Sequence, residues 1–205
     1  MKKPGNLIAV LLVAVLLSAC AGRDFVRPDE TSLRLNETTY QEILDRFGKP
    51  FNEGTQLKNE KNVKIISYAY ASIGGKANSP GITPARAASF YFSDDLLAGY
   101  EFISSYKMDN SDFDETRIEQ LKKDETTREQ VIALIGKPAG KYVHPLIKGE
   151  DGYALIYAYG EAFGFEFYMK QLAVTINDNV VSDVEYTTSG KKHVPETGGG
   201  TAAPY

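Results

Sequence analysis

The stretch Glu-Thr-Thr-Tyr-Gln-Glu-Ile-Leu-Asp-Arg-Phe-Gly-Lys-Pro occupies residues 37–50. A second version, Glu-Thr-Thr-Arg-Glu-Gln-Val-Ile-Ala-Leu-Ile-Gly-Lys-Pro, occupies residues 125–138. The two stretches align without a gap at a spacing of 88 residues. They share a start signal, an apolar pattern and a stop signal, a combination that chance does not readily repeat. We infer that the chain is a tandem duplication, so a fold argument for one half also serves the other.

Each copy of the repeat predicts a short amphipathic helix. Thr39 with Glu42, and Thr127 with Gln130, have the capping-box spacing, in which the Thr hydroxyl accepts a backbone N–H three residues on. Apolar residues then fall on one helical face in each copy. Both copies end in Gly-Lys-Pro, where Gly suits the left-handed residue past a helix and Pro forbids continuation.

Segments with strand character follow each predicted helix. Residues 63–72 and 154–161 alternate and are rich in β-branched and aromatic side chains. Hairpins come next, over residues 88–106 and 165–188, with Asp- and Asn-rich turns near their centres. Asp and Asn tolerate the positive φ that tight hairpin turns need, so these turns favour antiparallel pairing.

Helices combined with antiparallel strands predict an α+β fold. Leu33 and Ile118 mark a shorter helix ahead of the capped helix in each copy. We therefore predict two tandem helix-helix-antiparallel-sheet repeats, at residues 33–108 and 109–188. Helices would cover one face of each sheet and leave the other face open to water or to a partner.

The N-terminus predicts export and lipidation. Residues 1–19 have a basic start followed by 11 consecutive apolar residues, Leu7–Leu17, which suits a signal peptide and is too short to span a bilayer. Leu17-Ser18-Ala19-Cys20 then resembles a bacterial lipobox, and Cys20 is the single cysteine of the chain. The alternative is an ordinary secretory signal followed by a buried Cys.

Lipidated Cys20 would anchor the mature chain through acyl chains such as palmitate, and two or more such chains give stable attachment. Ala21 follows the Cys in place of an Asp that retains many such lipoproteins at the inner membrane. We expect the outer membrane, with the protein facing the periplasm. Residues 20–32 predict a tether, and the Gly-, Thr- and Ala-rich residues 189–205 predict a disordered tail.

The charge and the polar residues limit the range of functions. The mature chain keeps 21 basic and 27 acidic residues, so its net charge of about −6 disfavours nucleic acid. His144 and His193 have no neighbours at metal-ligand spacing, and the acidic residues 109–114 lack the calcium-loop pattern. We therefore predict no catalytic residue, no metal and no cofactor, and a protein that is not an enzyme.

Aromatic side chains offer the best candidates for a contact surface. Alternate residues of a strand point the same way, and two Tyr pairs lie on matching strands of the two copies. These candidate partner-binding residues are Tyr68, Tyr70, Tyr157 and Tyr159. They are either core residues or part of an open sheet face, where Tyr makes a good contact residue. Phe163, Phe165 and Phe167 have the same spacing, and we predict that this row faces the core.

The order of these motifs resembles a known family. A lipobox, a Thr-x-x-Glu/Gln helix ending in Gly-x-Pro, an aromatic strand and an Asp-rich hairpin are similar to the SmpA/OmlA (BamE-like) outer-membrane lipoproteins. The tandem arrangement also resembles the β-lactamase inhibitor protein. The resemblance covers most of residues 33–188, although the usual family members carry one repeat, and the Trp of their first long strand is missing here. It implies a binding or scaffolding protein.

Two functions follow as expectations. The first is a lipid-anchored periplasmic protein-binding or scaffolding module that contacts another envelope protein, in outer-membrane protein assembly or envelope integrity. The alternative is a periplasmic inhibitor that caps a hydrolase such as a β-lactamase. The membrane would be contacted through the lipid anchor in both cases.

Overall fold

The computed structural model describes residues 23–72, 74–109 and 111–194. Within them, eight strands form one antiparallel sheet in which each strand pairs with its neighbours along the chain. The strands are β1 (Asn52–Lys58), β2 (Lys61–Ala71), β3 (Ala85–Ser93), β4 (Leu96–Ser104), β5 (Gly140–Tyr142), β6 (Tyr153–Phe163), β7 (Glu166–Asn177) and β8 (Val180–Gly190). The α-helices are α1 (Tyr40–Phe47) and α2 (Arg128–Ile135), and 3-10 helices cover Glu30–Ser32, Lys107–Asp109 and Glu115–Gln120.

The predicted fold class, two helix-helix-sheet repeats, is wrong. One sheet runs through both halves of the chain, because the three residues of β5 pair with β4 on one side and with β6 on the other. The chain is also less helical than predicted. Each Gly-Lys-Pro ends its α-helix after eight residues, and the expected second helices are short 3-10 turns. The sheet is therefore the dominant layer of the molecule.

The local signals that predicted the two α-helices are confirmed. Both helices have complete capping boxes at Thr39 and Thr127, with each Thr hydroxyl accepting the N–H of the residue three positions on. Gly48 and Gly136 end the helices at φ of 76° and 107°, which a side chain would disfavour. These elements depend on contacts within a few residues, which is why the sequence predicts them well.

The same packing recurs in each half of the molecule. Ile43 of α1 and Val131 of α2 are both fully buried on the same side of the sheet, each in its own apolar cluster. The chain also enters the two helices in the same way. The Leu97 N–H donates to the Thr38 carbonyl at 2.8 Å, and the Val181 N–H donates to the Thr126 carbonyl at 2.9 Å. Each short helix is thereby tied to the hairpin turn of its own half.

Part of the predicted tether lies on this body. From Arg23 onward the chain contacts the first apolar cluster, where the Phe25 ring lies 6.4 Å from that of Phe47. The buried guanidinium of Arg86 donates to the Phe25 carbonyl and pairs with Asp24 at 3.3 Å. Cys20 lies outside the described residues, three positions before Arg23.

The two ends of the sheet carry different connections. The end where the chain enters, here called the entry end, holds the β2–β3 loop, the β6–β7 turn and residues 191–194. Arg23 belongs to this end because its guanidinium approaches Gly48 and it lines a pocket together with Phe51. The opposite end, here called the far end, holds the β1–β2, β3–β4 and β7–β8 turns and residues 143–152.

Candidate functional site: an apolar groove on the open sheet face

The helices cover one face of the sheet and leave the other face open. Tyr68 of β2 and Phe90 of β3 belong to the cluster under α1, so they define the covered face. Ala69 lies one residue from Tyr68, and Ala87 lies three residues from Phe90. Both spacings are odd, so these two alanines, which pair across the strands, point to the opposite side. Small side chains therefore form the floor of the open face in this region.

Residues 143–152 cover the far half of the open face. Asn59 in the β1–β2 turn donates to the carbonyls of Pro145 and Ile147, at 2.9 and 2.8 Å. Ile147 itself is buried and packs with Ile156 of β6. A segment from the second half of the chain thus lies over the end of the sheet that belongs to the first half. The entry half of the open face has no comparable cover among the described residues.

A buried carboxylate lies between the covered and uncovered halves. Glu101 accepts hydrogen bonds from the Tyr91 hydroxyl at 2.8 Å, from the Gln171 amide at 2.6 Å and from the Tyr142 hydroxyl. Burial, together with the Glu101 charge, raises the pKa of Tyr91 and of Tyr142 above their usual range. Both hydroxyls therefore stay protonated as donors, and this cluster joins β3, β4, β5 and β7.

An apolar groove occupies the uncovered half, with a volume of about 270 Å³. Its lining residues are Phe51, Ala69, Tyr70, Ala71, Ala85, Arg86, Ala87, Ile103, Gly160, Glu161, Ala162 and Phe167. Ile103 of β4 lies across the floor, and its Cγ2 would be 2.9 Å from a Cβ added to Gly160 of β6. Gly160 is therefore needed for the close approach of Ile103, whose side chain links the floor on β4 to the floor on β6.

Exposed phenylalanines form the rim of the groove. Phe51 and Phe167 both line it and both leave more than half of their surface in water, at 77% and 52% exposure. Soluble proteins rarely leave several large apolar side chains together on the surface without a use for them. An apolar floor with an aromatic rim can accept an apolar side chain from another molecule.

The prediction that the Phe row faces the core is wrong. Gly164 and Phe165 form the two-residue turn between β6 and β7, with Gly164 at φ 58°. Phe163 and Phe167 therefore lie on different strands, and the pairing of Phe167 with Ala162 puts Phe167 on the open face. All three rings are exposed. The spacing of two residues suggested one strand face, but a turn interrupts it.

The four candidate Tyr residues do not form the open face. Tyr68 and Tyr157 are buried in the two apolar clusters under the helices, and Tyr159 is buried beside Glu161 and Lys170, which selects the core alternative for all three. The Tyr68 hydroxyl donates to the Gly48 carbonyl at 2.9 Å, and burial raises the pKa of Tyr68 to about 12. Tyr70 is half-buried and lies parallel to Tyr106, with ring centres 6.4 Å apart. The candidate contact surface therefore moves to the alanines that follow Tyr68 and Tyr70 on β2 and to their paired alanines on β3.

A sequence signal for the groove was present. The residues that follow Tyr68 and Tyr70 on β2, and the residues that pair with them on β3, are all small: Ala69 pairs with Ala87, and Ala71 pairs with Ala85. Such a row leaves a recess on a sheet face when larger side chains surround it. The larger side chains come from β4, β7 and the segment before β1, which the sequence does not place beside it.

Metal and membrane-spanning features are not found in the described part of the chain. No group of three or more His, Cys, Asp or Glu side chains there is arranged to hold a metal ion. No helix in the same residues has the length and apolar character to cross a bilayer. His193 stacks on Phe163 with ring centres 3.8 Å apart, and His144 belongs to the segment over the far half of the open face.

Comparisons with known proteins add little to this geometry. No family model matches the chain, and no curated protein is similar to it in sequence. A crystal structure from Streptococcus mutans, of a protein provisionally named a β-lactamase inhibitor protein, is similar at 8% identity and a TM-score of 0.40. That comparison covers 77% of this chain and 91% of the other. The SmpA/OmlA resemblance therefore stays a prediction.

Proposed function

We propose that this protein is a lipid-anchored outer-membrane lipoprotein that binds another envelope protein in the periplasm. The groove would hold an apolar side chain of that partner, aliphatic or aromatic, between its alanine floor and its phenylalanine rim. The partner would thereby cover the half of the open face that residues 143–152 leave exposed. Outer-membrane protein assembly or envelope integrity is the setting that the sequence resemblance suggests for such a scaffold.

The observation that supports this proposal most is the difference between the two halves of the open face. At the far half, Ile147 from the chain's own segment is buried against the sheet. At the entry half, the floor is equally apolar and the rim residues Phe51 and Phe167 extend into water. An apolar side chain supplied by another protein would give the entry half the same kind of cover. Burial of apolar surface is the main favourable term in such contacts.

Filling the groove tests this proposal directly. We expect Ala87→Phe to change the free energy of unfolding by less than about 1 kcal/mol, because the new ring enters open space on a sheet surface. The same ring should occupy the partner's position and weaken binding by about 2 kcal/mol or more if this is the centre of the contact. The measurement is affinity capture from envelope extract, with the captured protein identified and its affinity then determined with purified components.

Thr187→Phe is the matched control. Thr187 pairs with Gln171, so it lies on the same face of the sheet, but it is exposed on β8 and outside the groove. Binding should survive this change. Loss of binding in both variants, or in neither, would argue against the groove as the binding site.

The identity of the captured protein distinguishes the scaffolding role from the inhibitor role. A barrel-assembly subunit or another integral envelope protein supports the scaffolding role. A soluble periplasmic hydrolase such as a β-lactamase supports the inhibitor role, and inhibition of its activity by the wild-type protein but not by Ala87→Phe would establish that role.

The anchor has a separate test. Cys20→Ser removes the thiol that accepts lipid, so we expect the variant to lose the acyl mass and to leave the outer-membrane fraction. Ser18→Ala keeps a small residue two positions before Cys20 and should retain both. Membrane fractionation with intact-mass measurement checks this. A Cys20→Ser protein that still carries acyl chains would refute the lipobox interpretation.

A further inference from the structure

Exposed apolar side chains are concentrated at the entry end of the sheet. Phe51, Phe163, Phe165 and Phe167 are exposed there, and Met108 follows the end of β4 on the same side. At the far end, Leu57 and Leu96 are the exposed large apolar side chains of the described residues. The groove accounts for Phe51 and Phe167, but Phe163 and Phe165 do not line it.

The β6–β7 turn presents these rings in a fixed way. Gly164 at φ 58° permits a two-residue turn, and the strands on both sides are fully paired up to Phe163 and Glu166. Phe163 is further held by its stack on His193. Phe165 at the turn is completely exposed, so a rigid hairpin carries an apolar ring at its outermost position.

The same end of the molecule lies next to the proposed anchor. Arg23 lies beside Gly48 and shares a pocket with Phe51. Cys20 lies three positions before Arg23, and a chain of that length reaches at most about 10 Å. A lipidated Cys20 would therefore hold the entry end, and not the far end, against the membrane.

Charge at the entry end also suits a lipid surface. Lys49, Lys107 and Lys191 are exposed in segments that reach this end, after α1, after β4 and after β8. Lys and Arg near a membrane surface are attracted to anionic headgroups even when the whole protein is negative. Glu166 lies beside Phe165 and would stay at the level of the headgroups, in contact with water.

We propose that the β6–β7 hairpin inserts Phe163 and Phe165 into the headgroup region of the lipid bilayer beside the anchor. The inference rests on the proposed function for its orientation, since the Cys20 anchor brings the entry end to the membrane. Aromatic rings at an exposed tip, flanked by lysines, are suited to the membrane–water interface. This second contact would fix the tilt of the sheet on the membrane and direct the groove along the membrane surface.

Tryptophan reporters test the insertion, because the chain contains no Trp. Phe165→Trp places a single emitter at the hairpin turn, and Leu57→Trp places one on an exposed far-end site, at 68% exposure. Lipidated protein is reconstituted in vesicles of zwitterionic and anionic phospholipid with brominated acyl chains. We expect emission from Phe165→Trp to shift to shorter wavelength and to be quenched, and emission from Leu57→Trp to stay unquenched.

Two outcomes would overturn the inference. Emission from Phe165→Trp that remains as in water would show that the turn does not enter the lipid. Equal quenching in both variants would show that the molecule has no preferred end at the membrane. Unchanged circular dichroism confirms that each variant is folded, and replacing a fully exposed ring should not affect folding.

The mass of the purified protein reports separately on the proposed function. Acyl mass supports the anchor, whereas an unmodified mass refutes it. In the latter case the same protein is sedimented with the vesicles. Phe165→Ser should then lower vesicle affinity about tenfold, the value expected for one large apolar side chain. An affinity equal to that of the wild type would overturn the insertion even though the anchor had failed independently.

Discussion

Replacing Phe90 with Ala should lower the free energy of unfolding by about 3–5 kcal/mol, as truncation of a buried aromatic ring does. Phe90 lies at the centre of the first apolar cluster and is completely buried. Its ring contacts those of Phe47 and Tyr68, at centre distances of 5.0 and 6.0 Å. The surrounding side chains come from a helix and several strands, so the cavity cannot collapse fully. Urea denaturation at constant slope measures the loss.

Phe165→Ala is the matched control for this substitution. It removes the same atoms from a fully exposed position, so the expected change is within about 0.5 kcal/mol. Similar losses at the two positions would contradict the assignment of one ring to the core and the other to the surface.

The same experiment tests the continuity of the sheet. β5 joins the two halves, and the Thr83 N–H donates across them to the Ala162 carbonyl at 2.9 Å. We expect Phe90→Ala to shift one cooperative transition for the whole chain. Two separate transitions, only one of them shifted, would indicate that the halves fold independently.

Replacing Lys170 with Met should lower the free energy of unfolding by about 1.5–3 kcal/mol, the range for hydrogen bonds to charged groups. The Lys170 ammonium is buried and lies 2.8 Å from the Asp112 carboxylate. It also donates to Glu115 and to the Phe113 carbonyl. Met fills a similar volume but satisfies none of these acceptors. The expected loss of stability is smaller than that for a fully buried ion pair, because the carboxylates of Asp112 and Glu115 are both partly hydrated.

This contact has a counterpart in the first half of the molecule. Arg86 pairs with Asp24 and donates to the Phe25 carbonyl, as Lys170 does with Asp112 and the carbonyl of the next Phe. In each half, a buried cation on the sheet fixes the Asp-Phe segment that leads into the repeat. We expect Arg86→Met to be destabilising for the same reason.

The contribution of Lys170 should depend on pH. Burial alone would lower the pKa of Lys170, but its hydrogen bonds to Asp112 and Glu115 outweigh burial and raise it. The bond from Lys170 lowers the pKa of Glu115 below its usual value of 4.5. A carboxyl whose pKa is lowered by folding stabilises the protein fully at any pH above its unfolded pKa. That contribution is lost as the pH falls through the lower, folded pKa. The difference between wild type and Lys170→Met should therefore be constant from pH 5 to 8 and shrink below about pH 4.5.

Lys61→Met is the control for charge removal. Lys61 is half exposed and lies 3.9 Å from the Asp94 carboxylate, so its loss should cost less than about 0.5 kcal/mol at any pH. An equal effect at Lys61 and Lys170, or a Lys170 effect that does not change with pH, would contradict the role assigned to the buried ammonium.

The sequence also contains a sign of these paired buried cations, upstream of the two repeated helices. Asp24-Phe25 and Asp112-Phe113 lie at the same spacing of 88 residues as the capping boxes. Extending the repeat upstream to these dipeptides would have predicted that residues after Arg23 belong to the first folded half. The partner cations, Arg86 and Lys170, lie at a spacing of 84 residues because the β2–β3 loop is longer than the β6–β7 turn.

Elements with short-range causes were determined by the sequence. The capping boxes at Thr39 and Thr127 bond residues three apart, and the turns at Asp94-Asp95 and Asp178-Asn179 have positive φ, as their residue types predict. A bond that closes within a few residues costs little chain entropy, so local chemistry decides it. The duplication itself is also a property of the sequence, independent of any contact.

Tertiary structure decided how these parts join and which face is available. β5 has three residues and little strand signal, yet it makes one sheet of two halves because β4 and β6 both offer it pairing edges. The groove combines Ala69 with Gly160, which are 91 residues apart, and the Glu101 cluster combines Tyr91 with Gln171, which are 80 residues apart. The exposed hairpin tip exists because a two-residue turn interrupts an alternating row of Phe. Contacts of this range depend on the packing of the whole chain, and a local pattern cannot choose among the faces on which a side chain is buried or exposed.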